Sequence, residues 1–490
     1  MPLPDLIEIV PLTQPVRAQI TVPGSKSITN RALVLGALAG GEVTLLGALW
    51  SEDTQIMVEC LQDLGFMVNV APDPDEVCNR TITVYGKGGE VLRGGTEANP
   101  LELFVGNAGT AARFLAAMVC LGDGVYRLHG VPRMHERPQA ALFAALRQLG
   151  YRVESEAGND KLPATIFGRR RREESPSEMR SAECGMRNES QRLLTSSPAG
   201  KCSVSVEDSS QFASALLLCA GAGGWHVEVT GANEDEMPYV TMTREMVKVF
   251  PSHGGEFQIE PDASSGSYFW AVSMFDWLST WKPRLSFQGP QEPMDSNLLY
   301  KTSWFPVRVS NWPSSAWQID EQFPMWQMST LVSRCKSLGD SIMTAMVVAP
   351  FGSTSTTFTD LGRLRVQECE RVHAMRTELT KCGAQVREEG DTLTVAPNHL
   401  TLATVSLGFL TNPALHGAEI ETYNDHRMSM CFAVLGLKVP GIKIKNPACV
   451  KKTFPNFFQK LATPPPRGLG ATILDGRTGR KLAMEELFAE

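Results

Sequence analysis

Closely spaced cysteine pairs are missing from this chain of 490 residues. The chain has 11 cysteines, but no C-x-x-C pair occurs, and the nearest two, Cys369 and Cys382, stand 13 positions apart. Zinc ribbons and thioredoxin-like redox sites both need such pairs, so the sequence excludes them. We expect reduced and mostly buried thiols.

Membrane-spanning apolar runs and an excess of basic residues are also lacking. No uninterrupted apolar run reaches bilayer length, and Asp5 and Glu8 interrupt the stretch Met1–Leu12, which does not fit a secretory signal. Lys and Arg number 46 against 53 Asp and Glu, which argues against a nucleic-acid backbone as the main ligand. We expect a cytoplasmic protein that binds neither membrane nor nucleic acid, or a plastid protein if a transit peptide precedes this chain.

What is present fits a globular protein of two domains. The chain is longer than the size at which one hydrophobic core stops growing. Two segments break the general pattern. Residues 167–200 hold four consecutive arginines and predict a disordered insertion, and residues from about 276 to 305 predict an atypical insertion in a region rich in exposed tryptophan. The Pro-rich start of the tail after Ala462 predicts a linker and a short terminal helix, Lys481–Phe488.

Two kinds of helix–strand unit recur along the chain. In the first, an amphipathic helix ends in glycine before a strand, as in Asp53–Leu64, Gln139–Leu149, Glu370–Cys382 and, more loosely, Thr243–Pro251. In the second, an almost wholly apolar helix leads into a strand, as in Arg31–Gly47, Thr110–Gly130, Gln211–Gly231, Ser341–Asp360 and Arg427–Asn446. Helices that are apolar all round belong inside a domain. The pattern predicts α/β domains with helices in the middle and sheets outside.

The first buried helix is preceded by a cationic, hydroxyl-rich turn. The segment Pro23–Arg31 reads PGSKSITNR and brings Lys26 and Arg31 to a helix N-terminus, where backbone N–H groups and the helix dipole favour anions. It is not a Walker A loop, because Ser25 separates Gly24 from the lysine. Read alone, the segment is as well explained as an ordinary capped helix start.

Later helix starts repeat this arrangement. Gly109 allows close backbone approach to a ligand, Pro138 at a first helical position puts Arg137 beside a helix N-terminus, and hydroxyls and an amide precede another buried helix at Ser209–Gln211. In the second half the candidates are Asp340, Glu368, Arg371, His426, Arg427 and Lys452. Singly, these residues are also explained as a helix cap, a packing glycine, surface charges or a structural histidine. Their repetition at equivalent helix starts favours binding of small polyanions, with Asp340 and Glu368 as proton acceptors.

Seven motifs together resemble the EPSP synthase family of enolpyruvyl transferases. They are PGSKSITNRAL, LFVGNAGTAAR, ERP, SSQF, VQECER, YNDHRMSMCFAVLG and KKTFPNFF, and the resemblance spans roughly Gln14 to Ala462 apart from the two unusual segments. It implies a two-domain inside-out α/β barrel of six βαβαββ units, with helices inside and sheets outside. The implied domains are residues 20–259, residues 1–19 with 260–462, and a tail, 463–490.

The resemblance implies transfer of the enolpyruvyl group of phosphoenolpyruvate to the 5-hydroxyl of shikimate-3-phosphate, within the shikimate pathway. It implies no metal or organic cofactor, and a monomer unless the chain is part of a larger polypeptide. The implied shikimate-3-phosphate residues are Lys26, Ser27, Arg31, Ser209, Ser210, Gln211, Tyr239, Asp340 and Gln367. The implied phosphoenolpyruvate residues are Lys26, Asn107, Gly109, Arg137, Gln211, Arg371, Arg427 and Lys452. The implied catalytic residues are Asp340 for the hydroxyl proton, Glu368 and Lys26 for the methylene protons, and His426.

Three positions depart from the family pattern. Gln367 replaces a lysine, Glu236 a serine and Arg363 an asparagine, whereas the retained Gly109 implies sensitivity to glyphosate. Two alternatives stay open. One is the sister transferase acting on UDP-N-acetylglucosamine, which uses a loop cysteine that Val131–Gln139 lacks. The other is a non-catalytic relative with the same fold, which the retained site residues oppose.

Overall fold

The computed structural model describes residues 2–169, 200–234, 236–280, 305–326, 329–352, 354–397 and 415–489. Most of the two expected insertions, 167–200 and about 276–305, lies outside the described residues. The chain forms two compact units. Unit 1 consists of Met1–Ser25, Pro72–Asn79 and Glu260–Glu490, and unit 2 of Lys26–Ala71 and Arg80–Ile259.

Helices of very different burial occur in both units. The α-helices within the described ranges are α1 (Lys26–Leu38), α2 (Glu52–Asp63), α3 (Gly109–Met118), α4 (Pro132–Glu136), α5 (Ala140–Gln148), α6 (Ser210–Gly223), α7 (Met237–Val249), α8 (Ala263–Thr280), α9 (Ile342–Val348), α10 (Arg371–Lys381), α11 (His426–Gly436) and α12 (Phe457–Ala462).

The strands are short, and most have two to five residues. Those within the same ranges are β1 (Leu6–Ile9), β2 (Ala18–Ile20), β3 (Glu42–Leu49), β4 (Met67–Pro72), β5 (Asn79–Tyr85), β6 (Leu101–Phe104), β7 (Val125–His129), β8 (Arg152–Ser155), β9 (Ala164–Phe167), β10 (Lys201–Ser205), β11 (His226–Thr230), β12 (Gly255–Gln258), β13 (Val307–Val309), β14 (Leu331–Ser333), β15 (Thr356–Thr359), β16 (Gln385–Glu389), β17 (Thr392–Ala396), β18 (Glu419–Ile420), β19 (Ile442–Lys445) and β20 (Ile473–Asp475).

Unit 2 combines three sheets with three buried helices. The sheet orders are β12-β3-β5-β4, β6-β7-β9-β8 and β10-β11. Helices α1, α3 and α6 are rich in Ala, Gly, Leu and Ser, and most of their residues are buried. Because a helix without a polar face has no side to turn to water, the sequence dictates its burial. Strand β7, by contrast, alternates buried and half-buried residues, as one face of a sheet meets the core.

Unit 1 repeats the same plan. Its sheet orders are β14-β15-β17-β16, β18-β19-β1-β20 and β13-β2. One sheet of each unit, β6-β7-β9-β8 in unit 2 and β14-β15-β17-β16 in unit 1, begins with a parallel pair and continues antiparallel. Helices α9 and α11 are almost entirely buried. The mixed α/β class with buried helices is confirmed, whereas barrel closure and the count of six units stay predictions.

The tail after Ala462 differs from its prediction. The predicted terminal helix corresponds to a short 3-10 helix, Met484–Leu487, within Lys481–Phe488. In place of a linker, the tail supplies strand β20, which pairs antiparallel with β1 through Ile7–Asp475 and Ile9–Ile473. Leu469, Ile473 and Leu487 are buried in the core of unit 1. The linker prediction is wrong because apolar residues spaced along the tail complete a sheet and a core that a local pattern does not reveal.

Two further expectations are corrected in unit 1 and unit 2. Helix α8 runs past Asp276 to Thr280, and Trp270 and Trp326 are buried in the core rather than exposed. Helix α5 begins at Ala140 with Gln139 as its N-cap, so Pro138 lies before the helix and not at its first position. No helix within the described part of the chain is long and apolar enough to cross a bilayer.

Candidate functional site

The candidate residues of unit 2 lie at the N-termini of its buried helices. Lys26 is the first residue of α1, Gly109 the first of α3, and Ser210 the first of α6. Lys26 Nζ lies 3.0 Å from Asp53 Oδ2 on α2, and the Asp53 side chain is nearly buried. The lysine that the sequence assigns to both substrates is therefore held by a carboxylate that the sequence reasoning did not include.

Arg31 joins three helices inside unit 2. Its Nε donates to Thr243 Oγ1 at 2.7 Å, Nη1 to the Ser27 carbonyl at 2.9 Å, and Nη2 to Ser214 Oγ at 3.0 Å. The residue is only 2% exposed. Burial lowers the pKa of Arg31 to about 10, against the opposing charges of Tyr239 and Glu236. The guanidinium stays charged at neutral pH, and it is a buried anchor as well as a candidate ligand group.

The start of α3 brings two arginines against a glycine. A Cβ on Gly109 would lie 2.4 Å from Arg113 Nη1 and 2.7 Å from Arg137 Cζ. Arg137 Nη1 donates to the Asn107 carbonyl at 3.2 Å, and Arg113 Nη1 donates to Gln211 Oε1 at 2.9 Å. The structure thus groups four predicted residues with Arg113, which the sequence reasoning quoted within a motif but did not assign to the site.

The start of α6 is a set of hydrogen-bond donors. Ser209 caps the helix and accepts from the Gln211 N–H at 3.3 Å, and both serines are 2% exposed. Ser210 N–H donates to Glu236 Oε2 at 2.5 Å, and Glu236 is itself buried as the N-cap of α7. Tyr239, one turn further along α7, is half-buried.

Asp340 is the centre of the candidate site in unit 1. Its Oδ1 lies 3.0 Å from Arg334 Nη2, and its Oδ2 lies 3.1 Å from Arg427 Nη2 and 3.7 Å from Arg371 Nη1. Burial alone would raise the pKa of Asp340, but the three arginines lower it far below its usual range. The sequence also allows Asp340 to be a helix cap. In the structure Asp320 Oδ1 instead accepts from the N–H of Ser341, the residue before α9, at 2.8 Å.

Glu368 and Arg371 form a second, connected cluster. Glu368 Oε2 lies 2.8 Å from Arg371 Nη2, and its Oε1 lies 2.9 Å from Lys452 Nζ. Asp425, the N-cap of α11, binds Arg371 Nε at 2.7 Å and accepts from the Arg427 N–H at 2.9 Å. The pKa of Asp425 is lowered against the effect of burial, chiefly by Arg371. Asp425 fixes Arg371, and its place just before a helix was the sequence signal for it.

The geometry gives less direct support for the predicted site roles of His426 and Gln367. His426 is 3% exposed at the start of α11, and its Nδ1 has no hydrogen-bond partner within the described ranges. Burial lowers the pKa of His426 well below its usual value, against the charges of Asp425 and Glu368, so its imidazole is neutral. Gln367 is half-buried, and its Oε1 likewise finds no partner among the described residues.

No group of three or more His, Cys, Asp or Glu side chains in the described part of the chain is arranged to hold a metal ion. The clusters described above consist of cations, carboxylates and backbone donors. Cations and N–H groups bind carboxylate and phosphate oxygens, and carboxylates held nearby can accept or return protons. Both units carry such groups at helix starts, with carboxylates as their internal partners.

Comparisons with known proteins agree on one family. The family model for EPSP synthase (3-phosphoshikimate 1-carboxyvinyltransferase) matches residues 10–183 and 317–461. A 3-phosphoshikimate 1-carboxyvinyltransferase of Nostoc sp. is 32% identical over 467 residues, covering 93% of this chain and 98% of the relative. The enzyme of that name from Opitutus terrae is 34% identical over 489 residues, covering 94% and 98%.

Solved structures agree on the fold. An EPSP synthase structure from Acinetobacter baumannii superposes with a TM-score of 0.62 at 20% identity, covering 93% of this chain and 97% of that chain. The enolpyruvyl transferase NikO of Streptomyces tendae gives 0.58 at 13% identity, covering 96% and 99%. At these identities the structural matches support the fold, while the sequence relatives and the family model carry the family.

Proposed function

This chain belongs to the EPSP synthase (3-phosphoshikimate 1-carboxyvinyltransferase) family of transferases, and from that premise we propose that it makes 5-enolpyruvylshikimate-3-phosphate. The substrates are shikimate-3-phosphate and phosphoenolpyruvate, and inorganic phosphate is the second product. The observation that carries this proposal is a cluster in unit 1 in which three cationic side chains contact two carboxylates. Arg371 and Arg427 both contact Asp340, and Arg371 and Lys452 both contact Glu368. Arg371 thus bridges the two carboxylates, and Arg371, Arg427 and Lys452 together present positive charge to an anionic substrate.

The reaction adds and then removes one proton at the methylene carbon of phosphoenolpyruvate. Glu368 and Lys26 protonate that carbon, which leaves C2 electron-deficient. The 5-hydroxyl oxygen then bonds to C2 while Asp340 accepts the hydroxyl proton. Phosphate then leaves, and one methyl proton returns to Glu368 and Lys26, which restores the double bond. Arg371, Arg427 and Lys452 neutralise the carboxylate and phosphate charge throughout.

The remaining binding residues divide between the two substrates. We assign Ser27, Arg31, Ser209, Ser210, Gln211, Tyr239 and Gln367 to shikimate-3-phosphate, and Asn107, Gly109 and Arg137, again with Gln211, to phosphoenolpyruvate. The donor set at the start of α6 supports the first assignment, because backbone N–H groups and hydroxyls at a helix N-terminus suit a phosphate. Arg137 against Gly109 supports the second, because a guanidinium is suited to a carboxylate. The neutral His426 acts by hydrogen bonding rather than by proton transfer.

The oxidation state of the cysteines supports a proposal about the cell compartment. The ten cysteines in the described ranges are all free, and most are buried. Free thiols persist in reducing compartments. We therefore place the enzyme in the cytoplasm and treat it as a monomer.

The decisive assay is phosphate release with both substrates and with each substrate omitted in turn. We expect release only when both are present. Asp340→Asn should lower kcat by about a hundredfold or more, since it removes the hydroxyl-proton acceptor while keeping the shape of the side chain. The matched control is Asp391→Asn, which changes an exposed carboxylate of unit 1 and should leave turnover unchanged. Folded protein that releases no phosphate with both substrates present would refute the proposed function.

A further inference from the structure

The carboxylate of Glu236 sits at the N-terminus of α6. Its Oε2 accepts from the Ser210 N–H at 2.5 Å, and the residue is only 3% exposed. The residues on either side of this N–H belong to the serine and glutamine set proposed for shikimate-3-phosphate. A carboxylate therefore already uses one backbone donor of a set suited to an oxyanion.

The two cations proposed for the same substrate, Arg31 and Lys26, also interact with groups of unit 2. Arg31 is tied to α7 through Thr243, and the negative charge of Glu236 acts on it from the start of that helix. Lys26, at the start of α1, is paired with Asp53 at 3.0 Å. Lys26 thus has a carboxylate partner, and Glu236 offsets part of the charge of Arg31 before any ligand arrives.

We propose that Glu236 is a specificity-determining residue that lowers affinity for the phosphorylated acceptor by occupying part of its phosphate subsite. This inference rests on the proposed function. A phosphate dianion must displace the Glu236 carboxylate from Ser210 or bind beside it, and like charges in a buried site repel strongly. An acceptor without the phosphate escapes this repulsion. Glu236 therefore narrows the preference for shikimate-3-phosphate over shikimate.

The test compares Glu236→Gln and Glu236→Ser with the unmodified enzyme. Glutamine keeps the size and a hydrogen-bond acceptor for the Ser210 N–H but removes the charge, whereas serine removes the charge and the bulk. We expect the KM for shikimate-3-phosphate to fall by about tenfold or more, with kcat changed less than about twofold. The kcat/KM for shikimate should stay unchanged.

A binding measurement separates this inference from the proposed reaction. The dissociation constant of shikimate-3-phosphate without phosphoenolpyruvate is measured by calorimetry for the same three proteins, with inorganic phosphate as a second probe. Both ligands should bind more tightly to the charge-removed variants. The control is Glu207→Gln, because Glu207 also accepts a backbone N–H, that of Ala232 at 2.9 Å, but is exposed.

The outcomes are distinct. Unmodified enzyme that turns over while both folded variants bind shikimate-3-phosphate equally well or more weakly overturns the role of Glu236 and leaves the proposed function intact. Absence of turnover in the unmodified enzyme refutes the proposed function, and the binding comparison still decides the charge argument. Tighter binding in Glu236→Gln that Glu207→Gln does not share supports the inference, even if Glu236→Ser does not fold.

Discussion

Asp340 carries its negative charge among Arg334, Arg371 and Arg427. This arrangement keeps the carboxylate ionised, so that it is ready to accept a proton, but it also makes it a weak base. An anionic substrate that takes up part of the charge of Arg371 and Arg427 would raise the basicity of Asp340. Base strength at this residue is thus linked to occupancy of the neighbouring cations, and proton transfer before the anion binds is disfavoured.

Gly109→Ala is the sharpest single-residue test of the phosphoenolpyruvate assignment. The added Cβ would lie 2.7 Å from Arg137 Cζ and 2.4 Å from Arg113 Nη1, so both guanidiniums must shift. Since a displaced Arg137 loses alignment with the substrate carboxylate, we expect the KM for phosphoenolpyruvate to rise by about tenfold. Inhibition by glyphosate, which we expect for the unmodified enzyme, should weaken as well.

Gly221→Ala provides the matched control for this change. Gly221 lies on α6 in the same unit, and a Cβ there would meet nothing within 4 Å. Its steady-state constants should match those of the unmodified enzyme. An unchanged KM for phosphoenolpyruvate in folded Gly109→Ala protein would show that Arg137 does not bind this substrate.

At the scale of elements, local sequence patterns predicted the buried helices but did not predict which distant residues and strands pair. The apolar helices that became α1, α3, α6, α9 and α11 were all located from composition, because a helix without a polar face must be buried. The residue types at the helix starts were located too. Their partners were not, since Asp53 and Asp425 reach Lys26 and Arg371 only through tertiary contacts.

The tail gives the clearest case of this limit. Strand β20 has three residues, and its partner β1 lies at the other end of the sequence. Such a short strand has no periodicity of its own, so its identity depends on the sheet that it joins. Pairing across that distance cannot be obtained from a local window.

Ile473→Ala tests whether the tail stabilises unit 1. Ile473 is 1% exposed on β20, and truncating a buried isoleucine typically lowers the free energy of unfolding by about 2–5 kcal/mol. We expect the denaturant concentration at the midpoint of unfolding of unit 1 to fall accordingly. Met484→Ala changes an apolar residue of the same tail that is 37% exposed and should have little effect. Equal midpoints for the two variants would mean that the tail does not contribute to the core.

At the scale of the whole molecule, several buried groups make stability depend on pH. The pKa values of Asp340 and Asp425 are lowered, so their contribution is lost only in strongly acidic solution, below the usual aspartate range. The pKa of His426 is lowered from its usual value, so the unfolded chain binds the proton first and stability is lost as pH falls below about 6.5. The pKa of Glu321 is raised to about 7 by burial and by Glu260, which has the opposite effect in the same window.

His426→Gln isolates the histidine contribution. Because Glu321 is common to both proteins, it cancels in the comparison. The unfolding free energy of the variant, relative to that of the unmodified enzyme, should rise by about 1 kcal/mol as the pH falls from 6 to 5. Chemical denaturation at several pH values measures this shift. His373→Gln, the same substitution at an exposed position, is the matched control. A difference that stays constant with pH would mean that His426 accepts a proton in the folded protein.

The position of β1 between β19 and β20 has a consequence for synthesis on the ribosome. Both neighbours of β1 lie far downstream of it in the sequence and are translated long after it. The residues of unit 2 leave the ribosome as a nearly complete set well before that, so this unit can fold while translation continues. Strand β1 keeps both edges unpaired until these later segments have been translated, so it needs protection by chaperones during synthesis.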